Sequence, residues 1–196
     1  SRLRPAGSPS RPVRTLIRVV CPVTRSIDAG DTITITYGNS TTAKAINVQQ
    51  FTPSISGTIS VLASSYAVQN DQTGQSVSVA TGVNPTMAGQ VVCALVAVEG
   101  GTADAFTQDT DTTNGTWVTL TRRGSGTTTS GSTLNSTYKL LTAAGAQTYD
   151  HATMLGTARD HCAAILVLNP PSITGTSATT LQNFTSAASG SADSSA

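Results

Sequence analysis

The chain of 196 residues is short of the side chains that cover helix surfaces: it has one Glu (Glu99) and two Lys (Lys44, Lys139), and charged residues make up only 11% of it. A helical bundle needs Glu, Lys and Leu at its solvent positions, so that class is excluded. Charge of either sign is scarce, with eleven Lys and Arg against ten Asp and Glu and a net charge of +1. A body without a basic stripe is not a general nucleic-acid binder. Long apolar runs are missing too. The two longest, Val91 to Val98 and Cys162 to Leu168, fall far short of the roughly 18 residues of a membrane helix, so no membrane partner is expected. No secretion signal is visible, because the basic, Pro-containing start (Ser1 to Ser10) leads into no apolar stretch with a cleavage site. Ser1 in place of Met reads as a processed or incomplete chain.

Catalytic vocabulary is equally thin. There is no G-x-S-x-G elbow, no P-loop and no H-E-x-x-H. Glycosidase chemistry needs two inward-facing carboxylates, whereas the nine Asp fall mostly in turn-like segments. The expectation is a protein that is not an enzyme and carries no cofactor.

What is abundant points to strands. The chain has 34 Thr and 23 Ser, 29% of its residues, and β-branched Thr and Val suit a pleated, half-buried surface. In Asp31 to Tyr37, Ile33, Ile35 and Tyr37 alternate with Thr32, Thr34 and Thr36, the period of a half-buried strand. After the turn at Gly38-Asn39-Ser40, Ala43 to Phe51 puts Ala45, Asn47, Gln49 and Phe51 on one face and Ile46 and Val48 on the other, completing a hairpin. Seven more strands are predicted at Val61–Val68, Ser76–Ala80, Val91–Val98, Thr116–Arg122, Thr137–Thr142, Gln147–Thr153 and Cys162–Leu168, separated by clusters such as Asn114-Gly115 and Gly124 to Ser132. That cadence is an all-β sandwich or jelly roll, with Ile33, Ile35, Tyr37, Val92, Ala94, Val96, Trp117 and Leu166 inside it.

Four segments follow. Residues 1–12 form a basic extended arm, 13–56 a partial β-sandwich module, 57–170 a complete jelly-roll-like sandwich, and 171–196 a Ser/Thr/Ala-rich tail. The partial module rests on an internal echo. Residues 19–52 share with residues 137–169 the plan strand, Gly turn, Thr-bearing strand, Gly/Thr turn, apolar strand, at an offset of about 115 residues that suits tandem domains. The first copy lacks its front half, and the strand edges this leaves must be paired by this chain or by another.

The stretches AGDTITITYGNSTTAKAINVQQF (Ala29 to Phe51), AGQVVCALVAVEG (Ala88 to Gly100), TWVTLTRR (Thr116 to Arg123) and AGAQTYDHATMLGTARDHCAAILVL (Ala144 to Leu168) together resemble the tandem jelly-roll or immunoglobulin-like modules of tailed-bacteriophage virion proteins. The resemblance covers residues 13 to 169. That family includes capsid decoration proteins, head fibres and tail-associated proteins, and its modules have no catalytic residues to carry over. It implies a structural protein at the particle surface, most readily a capsid decoration or cement protein, whose partner is the major capsid protein or another virion protein. The half-missing first module predicts a homo-oligomer with residues 13–52 forming much of the contact between chains, and the resemblance implies a trimer ahead of a dimer. The alternative is a carbohydrate- or surface-binding module of a secreted bacterial protein, with a host-surface glycan as its partner.

Candidate sites are few. Six of the eleven basic residues (Arg2, Arg4, Arg11, Arg14, Arg18, Arg25) precede residue 26, and no acid comes before Asp28. This arm reads equally as a flexible tail or as an anchor, in which Arg2, Arg4, Arg11 and Arg14 lie on an acidic partner surface. Asp109-Thr-Asp111-Thr-Thr-Asn114-Gly115 has carboxylates at alternating positions. An EF-hand would want Gly at 114 and Glu at 120, and the residues there are Asn and Leu, so a polar Asn-Gly turn is the expectation rather than a cation loop. A hairpin turning at Leu155-Gly156-Thr157 would face His151 with His161; alternation sends Asp150, Asp160 and Cys162 to the other side, leaving two ligands where zinc needs three or four, and no metal site is expected. Cys21, Cys93 and Cys162 read as small buried thiols, with a Cys93–Cys162 bridge open if their strands are neighbours. Four N-x-[ST] sequons (Asn39, Asn114, Asn135, Asn183) are unremarkable in so Ser/Thr-rich a chain. Trp117, the sole Trp, reads as core.

Overall fold

The computed structural model describes residues 57–100, 104–125 and 131–171, together with Ala45, Asn47 and Phe51. Nine strands run through it: β1 (Ser60–Val61), β2 (Ala67–Gly74), β3 (Val77–Ala80), β4 (Val91–Glu99), β5 (Trp117–Thr119), β6 (Arg123–Ser125), β7 (Ser132–Leu140), β8 (Thr148–His151) and β9 (Arg159–Asn169). The described part is all-β, with antiparallel pairing throughout and no helix. The first strand of the hairpin expected from the sequence, with Ile33, Ile35 and Tyr37, lies outside the described residues, as do most of residues 1–56 and all of the tail after Pro171; of its second strand Ala45, Asn47 and Phe51 are described, and none of the three lies in a strand.

The main sheet runs β1-β9-β4-β7-β5, with β2 also on β9 and β6 also on β7. The apolar run Val91 to Val98 becomes β4 at its centre, paired on both sides, the place for a strand with no polar alternation. A second, two-stranded sheet pairs β3 with β8 and covers one face of the first. Val77, Val79 and Tyr149 from the small sheet meet Val92, Ala94, Val96, Ala163, Ile165 and Val167 from the large one, and Trp117, Leu141, Met154 and Leu155 fill the ends. The arrangement is sandwich-like. Val92, Ala94, Val96, Trp117 and Leu166 are all buried as expected. Each fully buried Val, Ile or Leu contributes roughly 1.5–3 kcal/mol, which lets this core also carry buried polar residues.

Four expectations about the strands need correction, one of them the start of β7, which lies at Ser132 and not Thr137. The strand expected at 61–68 is two pieces, β1 and β2, and β2 (AVQNDQTG) extends to Gly74. Its pairing with β9 is interrupted between Gln69 and Gln72, where Asp71 has φ 51°, a bulge that blunts an edge strand. The strand expected at 116–122 is only β5, ending at Thr119, and β6 (Arg123–Ser125) runs into the cluster Gly124 to Ser132 expected to separate strands. The hairpin placing His151 opposite His161 does not form. β8 pairs with β3 and β9 with β4, so His151 faces Val77, whereas His161 faces Gln72 and Val98. The connection at residues 152–158 buries Met154 and Leu155 in the core; it crosses between sheets instead of turning tightly.

Candidate functional site

The most elaborate polar arrangement among the described residues surrounds Lys139, and sequence inspection gave no signal for it. Lys139 lies on β7 directly across from Val92 on β4 and Trp117 on β5, so strand alternation turns it into the sandwich, where it is 0% exposed. Its Nζ donates to Asp111 Oδ2 at 2.9 Å, to Thr113 O at 2.9 Å and to Gln147 Oε1 at 3.3 Å. It also stands 5.0 Å from the centroid of the Trp117 ring, a cation–π distance. Tyr149 packs edge-on against that ring at 4.7 Å and 67°. An ammonium has three hydrogens and no acceptor, so this cage uses all of its donor capacity. The geometry is that of a held cation, since a nucleophilic lysine must present a neutral amine with an available lone pair.

The acids of the Asp109–Asn114 loop build the cage. Asp109 Oδ1 accepts from the Asp111 amide at 2.7 Å, and its Oδ2 accepts from the Asp150 amide of β8 at 2.9 Å. Asp111 Oδ1 accepts from the Thr113 amide at 2.9 Å. That backbone hydrogen bond and then Lys139 hold the Asp111 carboxyl down at about 2, well below its ordinary range. Asn114 (φ 60°) makes the left-handed turn and donates from Nδ2 to Ala144 O at 3.3 Å. The expected Asn-Gly turn is therefore present, and the loop's carboxylates point to backbone amides and an ammonium rather than to a shared cation position. Tyr149 is raised far above the ordinary phenol range, by burial first and by the Asp109 charge second.

A second polar group lies at the other end of the sandwich. Arg122 Nη1 donates to Asp104 O at 2.7 Å, with the guanidinium 5.5 Å over the Phe106 ring. Arg159 Nη2 stands 3.3 Å from Asp104 Oδ2. Together with Val98, Thr133 and Gly156 these residues line a small cleft. Burial lowers Arg122 while Asp104 opposes the shift, and a guanidinium stays charged throughout. Nearby, His161 is 1% exposed and its Nδ1 meets Arg159 O at 3.1 Å. A carbonyl only accepts, so Nδ1 carries the hydrogen. His161 Nε2 and both amide atoms of buried Asn135 have no hydrogen-bond partner among the described residues.

The other sequence-derived residues fall as follows. Arg2, Arg4, Arg11, Arg14 and Cys21 lie outside the described residues, as do the Asn39 and Asn183 sequons. Trp117 is 3% exposed and in the core. Cys93 and Cys162 lie on neighbouring strands and on one face, but Cys93 opposes Leu166 and Cys162 opposes Ala97. That four-residue offset is roughly 13 Å along the strand, beyond disulfide reach. Among the described residues no three His, Cys, Asp or Glu side chains converge as a metal group. Comparison with known protein families, with curated proteins and with solved structures finds no match to this chain.

Proposed function

We propose that this chain is a non-enzymatic structural protein of a tailed-bacteriophage particle, most simply a capsid decoration or cement protein, with head or tail fibre as the neighbouring role. The observation that carries the reading is the division between its two parts. The β body spends its ionisable groups on itself: Lys139 on Asp111, Gln147 and a backbone carbonyl, Asp109 on two amides, and Arg122 and Arg159 on Asp104. Six of the eleven basic residues precede residue 26, in an arm with Pro5, Pro9 and Pro12, a composition suited to an anchor on an acidic surface. The jelly-roll topology and the particle-surface location belong to the same proposal and rest on the resemblance of the sequence stretches; the duplication rests on the internal echo, and self-association on the half-missing first module, with the resemblance favouring a trimer over a dimer. The glycan-binding alternative would want an exposed aromatic platform; Trp117 and Tyr149 are spent on the core, and Tyr66 is the one exposed aromatic among the described residues.

The test is binding to purified particles. Retention should fall as salt rises, because screening weakens exposed charge pairs, and the change of Arg2, Arg4, Arg11 and Arg14 to Ala should release the protein at lower salt than the unmodified chain. Salt-insensitive retention of the quadruple variant would place the anchor elsewhere, and failure of the intact chain to bind any particle would remove the proposal.

A further inference from the structure

The main sheet has a second face, turned away from β3 and β8. Register places Val91, Cys93, Leu95 and Ala97 of β4 there, beside Leu134 and Tyr138 of β7 and beside Cys162, Ala164 and Leu166 of β9. In a two-layer sandwich this would be the solvent face, and alternation would make it polar. It is mostly apolar and largely shielded instead: Val91 and Cys162 are 0% exposed and Ala164 2%, Cys93, Leu95 and Tyr138 are half-buried, and Ser136 is its polar member. The small sheet lies on the opposite side, so something else covers this one.

Three described residues outside the sheet reach it. Ala45 packs against the cluster of Ala97, Leu134, Cys162 and Ala164. Asn47 Nδ2 donates to Thr121 O at 3.5 Å, between β5 and β6. The Phe51 ring meets Tyr138 edge-on at 6.2 Å and 81°. All three positions are odd-numbered, and an extended chain turns residues two apart to the same side. Their targets lie on or beside β7: the cluster that Ala45 meets includes Leu134, Thr121 follows Leu120, whose amide bonds to the Ser136 carbonyl, and Phe51 meets Tyr138. From Leu134 to Tyr138 is roughly 13 Å, and six extended residues span up to roughly 20 Å, so one segment reaches both ends.

We propose that the stretch of this chain that bears Ala45, Asn47 and Phe51 is a third layer of the fold, seated along β7 on the outer face of the main sheet with those three side chains turned onto it. The face is then occupied from within the chain and is closed to a capsid protein or a second copy. Any partner must then use another surface.

The test is made on the full chain. With Cys21, Cys93 and Cys162 changed to Ala, the pair Phe51→Cys and Tyr138→Cys is treated with a short bismaleimide linker. The expected product is monomer-sized on a denaturing gel and carries one linker bridging both thiols. A dimer-sized product would make the occupant another copy and overturn the proposal, as would two thiols that each take a separate reagent molecule without bridging. Should the substituted chain fail to fold, ring-proton NOEs between Phe51 and Tyr138 of the unmodified chain decide the matter. They should persist, per labelled chain, when labelled protein is refolded in excess unlabelled protein; their loss on dilution, or their absence from the undiluted sample, would refute it.

Discussion

Removing Asp111 should harm this protein more than removing Lys139, although the two form one ion pair. In Asp111→Ala the ammonium of Lys139 stays where β7 puts it, fully buried, with only Thr113 O, Gln147 Oε1 and the Trp117 ring around it. Stripping one partner from a buried charge costs about 3–5 kcal/mol. The low end applies here because Asp111 lies at the mouth of the cage, its side chain 43% exposed, and water can enter where it stood. In Lys139→Met a chain of similar length fills the same space, and the abandoned carboxylate turns to solvent. What is lost is a set of hydrogen bonds and the partner of Gln147 Oε1, about 1 kcal/mol net. Asp111→Ala should therefore exceed Lys139→Met by about 2 kcal/mol in urea unfolding, and the double variant should resemble Lys139→Met alone. A Lys139→Met chain as unstable as Asp111→Ala would refute the reasoning, because it would mean that the ion pair, rather than burial of one of its members, sets the energy.

The same pair has a pH signature. The folded Asp111 carboxyl, at about 2, lies below its value of 3.8 in an unfolded chain. Its contribution is present above about pH 4 and disappears as pH falls through about 2. Because the group is well exposed, screening leaves about 1 kcal/mol of it. The Asp111→Ala chain should lack this acid-sensitive increment, and unfolding midpoints measured between pH 5 and pH 2 check it.

Other consequences follow from Tyr149 and Gly115. Burial raises Tyr149 in the folded state, so the neutral phenol favours folding fully below its unfolded value of about 10 and loses that advantage as pH climbs above it; alkaline unfolding curves should show a steeper loss for the unmodified chain than for Tyr149→Phe. Gly115 has φ 127°, and a Cβ there would strike the carbonyl oxygen of Leu140; Gly115→Ala should lower stability by about 3 kcal/mol, read by chemical denaturation, since strain and a backbone clash combine.

The elements that the sequence made legible are those whose side chains decide their place. Val91 to Val98 and Cys162 to Leu168 are apolar on both parities and became β4 and β9, each paired on both sides and covered on both faces. Ser76 to Ala80 alternates and became β3. The elements that were missed are held by backbone pairing or by buried polar contacts. β2 carries Gln, Asn and Asp and pairs along one edge only, with β9, so apolar periodicity had nothing to detect. β7 begins at Ser132, five residues before the predicted start, because Thr133, Asn135 and Ser136 are buried, and composition read that stretch as loop. The separation of His151 from His161 was equally hidden, since a Gly-containing connection looks like a hairpin turn until Met154 and Leu155 are seen inside the core.

The cage around Lys139 was hidden for a related reason. A lone lysine in the sequence TYKLL ordinarily snorkels to solvent, and its inward orientation follows only from the register that sets it across from Val92 and Trp117. The acids that meet it were legible as a turn, because Asp109 and Asp111 each cap an amide two residues ahead, a local motif. What the turn is for became apparent only in three dimensions. It carries Asp111 over the open end of the sandwich, and Asp109 Oδ2 takes the Asp150 amide at the edge of β8, where an unpaired N–H would otherwise invite another strand. One loop thus closes the core with an ion pair and blunts an edge of the small sheet. Together with the bulge in β2 and the break between β5 and β6, it leaves this body few edges for pairing with a neighbour.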